Sequence, residues 1–289
     1  MMRTRTITAF AMALPLLLAG CGSPSQDGLE VAHVHGIEYV DGKVHLASHH
    51  GLAVGTPSGK SWDWAYSSDE RFDLMGFTVD SAGIFYASGH PSDPRAYGGT
   101  MLGLRKSMDQ GVTWEQMSYK GRADFHSLTA VPDAPGHLIA WWQGSILNST
   151  DGGRTWSNQT SPPATTYALA ATAETVWAGT MYGLYRSENG GRNWTAAGLT
   201  AAVASVAVSL DGTTMFASEL AREGGVTWVS RDGGTSWDEM RGHAILRNTG
   251  APIVFVIDRA NAQHAFASDG GGTVIETKDA GATWKTVRA

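Results

Sequence analysis

The chain has 289 residues, with 21 basic and 27 acidic side chains and a formal net charge of −6. It contains no basic cluster, which argues against nucleic acid and anionic lipid headgroups as partners. A single cysteine excludes an internal disulfide, so core and sheet alone must hold the fold.

Residues 1–6 carry Arg3 and Arg5, and residues 7–18 form an apolar run too short to cross a bilayer as a permanent helix. These are the charged and apolar regions of a secretory signal. The run ends in Leu18-Ala19-Gly20-Cys21, which resembles the lipobox of bacterial lipoproteins. The resemblance implies cleavage before Cys21, a diacylglyceryl group on its sulfur and a second, amide-linked acyl source, enough together for stable anchoring. Gly22 to Gly28 is small and polar, a flexible tether. The expected organisation is a lipoprotein signal peptide at 1–20, a lipid-anchored cysteine and tether at 21–30, and one domain at 31–289. The product would be exported and held at the cell membrane on its extracytoplasmic side. Loss of Arg3 and Arg5 leaves 19 basic against 27 acidic residues, a mature net charge of −8.

From residue 31 onward no stretch shows a helical period. One short pattern recurs instead: Ser107-x-Asp109-x-Gly111-x-Thr113-Trp114, Ser149-x-Asp151-x-Gly153-x-Thr155-Trp156 and Ser187-x-Asn189-x-Gly191-x-Asn193-Trp194. It returns as Ser230-x-Asp232-x-Gly234-x-Ser236-Trp237 and Thr277-x-Asp279-x-Gly281-x-Thr283-Trp284, with a degenerate copy at Gly59-Lys60-Ser61-Trp62 that has Pro57 in the Asp position. Successive tryptophans lie 52, 42, 38, 43 and 47 residues apart. A period near forty holding four short strands is the spacing of propeller blades, so the expected fold is an all-β propeller of six four-stranded blades.

The pattern resembles the Asp box, or BNR repeat, of sialidases and many other propellers. Its side chains can bond the backbone of their own hairpin, and its glycine supplies positive φ. Asp109, Asp151, Asn189, Asp232 and Asp279 are therefore read as structural, and the D-x-D-x-D-G spacing of a calcium loop is absent. In the repeat ending at Trp194, residues 167–171, 175–179 and 183–186 are expected to be the first three strands. The chain begins on an inner strand and ends on an outer one. Ring closure then rests on packing between first and last blades, or on residues 29–32 adding to the last sheet.

Strand order also sorts side chains by face. The boxes are turns between third and fourth strands and occupy one face. The starts of inner strands and the ends of second strands occupy the other. His33, His35, His49, His50, His90 and His126, six of the ten histidines, all fall on that second face within three adjacent blades. Asp73 with Met75, and Asp124 with His126, repeat the spacing of His33 with His35. Two tiers result: His33, Asp73, Asp124, and His35, Met75, His126. Such a set can ligate a transition metal; histidine with methionine leans towards copper, histidine with aspartate towards zinc or iron. Rim histidines that merely cap loops are the alternative for any one of them. His45 falls mid-strand and His137 in a turn of the other face.

The runs His33-Val34-His35-Gly36, Ala47-Ser48-His49-His50-Gly51-Leu52, Asp73-Leu74-Met75-Gly76-Phe77, Ala87-Ser88-Gly89-His90-Pro91 and Asp124-Phe125-His126 resemble those of a group of bacterial Asp-box lipoproteins labelled sialidase-like or glycosyl hydrolases. Three functional classes remain open. A ligand-binding module at the histidine-rich mouth leads, its ligand a metal, a glycan or an envelope protein; Trp141, Trp142, Gln143, Met181 and Tyr182 are expected in loops where aromatics could stack on one. A glycoside hydrolase needs two carboxylates, for which Asp73, Asp124, Glu219, Glu223 and Asp269 are available. A sialidase is disfavoured, because no F/Y-R-I-P run occurs. No G-x-S-x-G, H-E-x-x-H or P-loop run occurs either. The third class is an assembly factor, as in the photosystem II stability factor, which resembles this chain in the repeat only. For the anchor, Cys21→Ser is expected to leave the product soluble or unprocessed. Mass spectrometry of the membrane fraction checks this; wild-type protein that extracts with buffer and lacks a mass increment at Cys21 refutes it.

Overall fold

The computed structural model describes residues 29–220, 225–240, 246 and 252–289. Cys21, the leader, most of the tether and Glu223 lie outside the described residues. The remainder forms six four-stranded antiparallel sheets, each built from four consecutive strands. The expected six-bladed propeller is what is found. Its inner strands are Val34–Val40, Asp73–Val79, Ser127–Ala130, Thr166–Ala171, Val203–Val208 and Val254–Asp258. In the fourth blade the next strands are Val176–Thr180, Gly183–Ser187 and Thr195–Ala196, within a residue or so of the boundaries read from sequence. Second strands such as Phe85–His90 are buried along almost their whole length, because each blade is covered on both faces. Outer strands shrink to two exposed residues at Thr195–Ala196 and Asp238–Glu239, too short an edge to recruit another strand.

The apolar residues sort into six clusters, one between each pair of neighbouring blades. Each box tryptophan packs back into the cluster shared with the preceding blade. Trp114 joins the interface of blades one and two, Trp156 that of two and three, Trp194 three and four, Trp237 four and five, and Trp284 five and six. Trp62, from the degenerate copy, packs against the cluster that joins the first blade to the last.

The boxes share one hydrogen-bond pattern. In the third blade Ser149 Oγ donates to Asp151 Oδ1 (2.9 Å) and accepts the Gly153 N–H (2.9 Å), while Asp151 accepts the Thr155 N–H (3.0 Å) and hydroxyl (2.7 Å). Asp109, Asp232 and Asp279 repeat this, and Asn189 accepts the Ser187 hydroxyl and the Asn193 N–H through its amide oxygen, without the second hydroxyl. Gly153 sits at φ 79°, and a Cβ there would lie 2.0 Å from Leu104 Cδ2, so the position must be glycine. The first blade lacks the box: Ser58 pairs with Ser61 around a tight Gly59-Lys60 turn instead.

Residues 29–32 add no strand to the last sheet, whose four strands all come from the C-terminal segment. The ring closes by side-chain packing. Val31, Val34, Ile37 and Leu46 meet Val254, Val256, Phe266 and Val274. Arg288, on the last strand, donates to the carbonyls of Gly272 (2.6 Å) and Leu29 (2.5 Å) and lies over the Trp64 ring.

Hydrogen bonds from the box hydroxyls and N–H groups hold the Asp151, Asp232 and Asp279 carboxyls at about 2, against an ordinary 3.8. A depressed carboxyl stabilises the fold above its unfolded pKa, and that contribution is lost as pH falls through the native one. The melting temperature is therefore expected to fall between about pH 4 and pH 2. Asp151→Ala should lower it at neutral pH, and Asp151→Asn should lower it less, since an amide oxygen still accepts the backbone N–H, as at Asn189. Away from the boxes, Phe216 is fully buried against Phe255 and Trp284, and Phe216→Ala should cost about 3–5 kcal/mol in denaturant unfolding.

Candidate functional site at the channel mouth

Four inner strands carry a register shift near their start, at the second residue for His35, Tyr167 and Ala204 and at the third for Met75. A β-bulge inserts one unpaired residue and re-aims its side chain. All four bulged residues line the central channel, together with His126, which precedes the third inner strand. The tier His35, Met75, His126 read from sequence is thus the channel wall at its mouth.

The remaining side chains arrive from strand ends beside it. Val34 pairs with Ser48, which places His49 next to the start of the first inner strand. The His33 and His49 rings stack at 4.5 Å, and those of His35 and His49 at 4.8 Å. His49 Nε2 lies 3.6 Å from Asp73 Oδ1. Asp73 pairs with His90 across the second blade, and this approach requires Gly89: at φ 149°, a Cβ there would stand 2.0 Å from the Asp73 carbonyl. His90 Nε2 (3.0 Å) and His126 Nε2 (2.6 Å) both point at Asp124 Oδ2.

Two compact sets result, His35/His49/Asp73 and His90/Asp124/His126, each with its ligand-type atoms within 4.8 Å of one another. His33 stacks on the first set. His50 holds its backbone N–H to Ser48 Oγ (3.2 Å), and its ring joins neither set. Three buried polar atoms in these sets have no hydrogen-bond partner: His35 Nε2, Asp73 Oδ1 and Asp124 Oδ1. On His90, Nδ1 lies 2.8 Å from the Thr100 carbonyl. Only a protonated Nδ1 can bond there, so in the neutral ring the Nε2 lone pair faces the Asp124 carboxylate. Two electron-rich atoms held at 3.0 Å call for a proton or a cation between them. Burial, with the neighbouring His49, His126 and His33, pushes the His35 imidazole down to about 4. The hydrogen bond to Asp124 raises that of His126.

Other expected residues fall elsewhere. Trp141 and Trp142 end the second strand of blade three rather than occupying a loop. Trp141 packs between blades three and four, and Trp142 lies edge-on to Phe125 and Tyr119. The chain bends later, at Gln143-Gly144, so both rings keep the sheet's alternation. Met181 and Tyr182 do lie in a turn and are exposed. Glu219 accepts the Trp228 indole N–H (2.9 Å), and Asp269 accepts the N–H groups of Gly271 and Thr273 in its own turn (3.0 Å each). His45 is fully buried, edge-on to Phe85, and burial pushes its imidazole down to about 4.

Sequence reasoning missed two groups. His264 bridges Asp258 (2.8 Å) and Glu276 (3.0 Å) on the last blade. Glu38 and Arg259 line the far part of the channel. The signal for Glu38 was present: it is the one charged residue inside an inner strand rather than at its end.

No family model matches the chain, and no curated protein matches it. Solved structures do. An ancestral GH74 enzyme is similar at 17% identity and a TM-score of 0.57 over 86% of this chain, which spans only 36% of that enzyme's length. YCF48 bound to D1 peptide matches at 14% identity and 0.51, covering 89% of this chain and 81% of that one. YCF48 from Cyanidioschyzon merolae matches at 13% and 0.52, covering 90% and 87%. The likeness is one of fold alone. All are β-propeller proteins, and none at this identity carries residue roles to the histidine mouth.

The shifts at the mouth are open to measurement. In an NMR titration His35 is expected to titrate near 4 and His126 above 6.5. Because His35 stays neutral in the native state, its contribution to stability should fall as pH drops from about 6.5 towards 4. His126 works in the opposite sense: its share is complete below 6.5 and is lost as pH rises through its native value.

Proposed function

We propose that the protein binds a transition metal at the mouth of its channel, and that it does so as an exported, lipid-anchored member of the Asp-box lipoprotein group. The observation that carries the metal reading is the trio of buried atoms without a hydrogen bond, His35 Nε2, Asp73 Oδ1 and Asp124 Oδ1, one or more in each set. A buried polar atom without a partner costs about 1–3 kcal/mol, a cost that a bound cation removes.

The donor chemistry fits. Each set offers two imidazoles and one carboxylate, which suits zinc with an open position for water or an exogenous ligand. His90 is oriented by the Thr100 carbonyl, as a metal-binding imidazole is by its outer partner. His35 resists protonation well below neutral pH and is ready to ligate. Met75 lines the same wall as His35 and His126, and a cuprous ion there would draw on its thioether. A metal so held would polarise an oxygen ligand. The protein's own residues would fix its geometry and keep its outer side open to solvent.

Residues 1–30 are read as the signal and anchor, which would hold the propeller outside the cell membrane within reach of envelope metals. Elemental analysis and calorimetry test the metal reading. After loading with zinc or copper near neutral pH, purified untagged protein is expected to hold stoichiometric metal, up to one ion per set. His35→Ala and His126→Ala should each reduce it without unfolding the propeller, and His137→Ala should leave it intact. Binding should weaken below about pH 6 as imidazoles take up protons. No metal above background after loading, or equal loss in His137→Ala, refutes the reading and leaves a glycan or an envelope protein as the ligand.

A further inference from the structure

The channel, its mouth included, holds about 390 Å³, within the usual range of roughly 300–1,000 Å³ for small-molecule pockets. Its wall takes apolar residues from every blade, among them Ile37, Phe77, Leu128, Leu169, Val206 and Val256. Its far end is polar. Arg259 leaves the turn after the last inner strand and donates to the carbonyls of Val79 and Asp80, the latter at 3.1 Å. Both belong to blade two, so the guanidinium spans the inner edge of blade one and straps the channel on the Asp-box side. Among the described residues the space is thus narrowed on the Asp-box side by Arg259 and opens towards the histidine mouth.

Glu38 stands at this narrowed end. Its Oε1 accepts the Thr78 hydroxyl and the Val79 N–H, both at 3.2 Å, and Oε2 has no hydrogen-bond partner among the described residues. Arg259 acts on Glu38 as a neighbouring charge but forms no ion pair with it among the described residues. Burial pushes the Glu38 carboxyl up and Arg259 draws it only partly back, so its ionised form would gain from a further cation. The Glu38 carboxyl has no cationic donor in direct contact among the described residues. At the entrance, Asp73 and Asp124 add two carboxylates among the histidines.

We propose that the channel binds a small amine, a protonated primary ammonium on an apolar body, which enters through the mouth ammonium first and donates to Glu38 Oε2. His35 and Glu38 lie three residues apart on one strand, a depth of roughly 10 Å at about 3.3 Å per residue, so an extended chain of about six carbons spans it. The hydrocarbon then lies against the apolar residues of the wall, and a carboxylate head is disfavoured by Glu38. This inference does not depend on the metal reading, because the ammonium contacts no residue of either histidine set.

The test uses the full mature chain stripped of metal with EDTA, titrated calorimetrically at pH 7 with n-hexylamine, n-hexanol and hexanoate. Hexylamine is expected to bind one to one and at least tenfold more tightly than hexanol, with hexanoate giving no heat. Glu38→Gln should abolish the preference for amine over alcohol. Ala204→Phe, at the bulge beside the mouth, should block both hexylamine and hexanol. Should Glu38→Gln fail to fold, Glu38→Asp keeps the charge but withdraws it by one methylene, and should cut hexylamine affinity while leaving hexanol unchanged. Absence of hexylamine binding, equal affinity for amine and alcohol, or undiminished preference in the Glu38 variants would overturn the proposal. A positive result with no metal bound under any condition would leave the amine site standing and the metal reading fallen.

Discussion

A four-stranded blade has two apolar faces and can hide neither by itself. The solution adopted is circular: each blade buries one face on the blade before it and the other on the blade after it, giving six cores where a sandwich has one. Large aromatic surfaces dominate such interfaces, and the box tryptophan is the piece that reaches backwards from each blade to the last. The closing interface meets the same demand without exchanging a strand. Trp62 packs there although its box has lost the aspartate, and Arg288 ties the last strand to the chain's first described residues. Interfaces of this kind fix the distance of every inner strand from the axis, and thereby the bore of the channel.

The two faces of the ring divide the work. On one, the box carboxylates are spent within their own turns, their oxygens accepting from hydroxyls and N–H groups close in sequence. On the other, imidazoles and carboxylates come from strands up to about ninety residues apart and leave acceptor atoms unfilled. Locally satisfied groups stabilise turns, whereas long-range, under-satisfied groups are where chemistry with an outside partner is possible. The same residue type, aspartate, plays both parts according to the backbone that presents it.

The repeat made the architecture legible, since its period and its glycines are local features that a sequence states outright. The grouping of His35, His49, Asp73, His90, Asp124 and His126 on one rim followed from strand order alone. Their division into two sets did not, because it depends on side-chain directions set by the bulges at His35 and Met75, and no residue type marks a bulge of that kind. His50 has the right type and position but its ring joins neither set, a difference of one residue in a tight turn. Trp141 and Trp142 were displaced for a similar reason: the turn comes one step later than the aromatic pair suggested. The Arg259 strap links positions 180 residues apart, beyond any local pattern.

Bulges at the same position in four blades carry an implication for how such a protein can change. Each bulge is a slot that aims one side chain at a common axis while the ladder around it continues undisturbed. Two slots hold His35 and Met75, and two hold Tyr167 and Ala204. Exchange at these slots alters the chemistry of the mouth without touching an interblade core, so new specificities can be sampled at little cost in folding. The ring behaves as a socket with interchangeable contacts, and the half of it facing Tyr167 and Ala204 is the half with contacts still to be assigned.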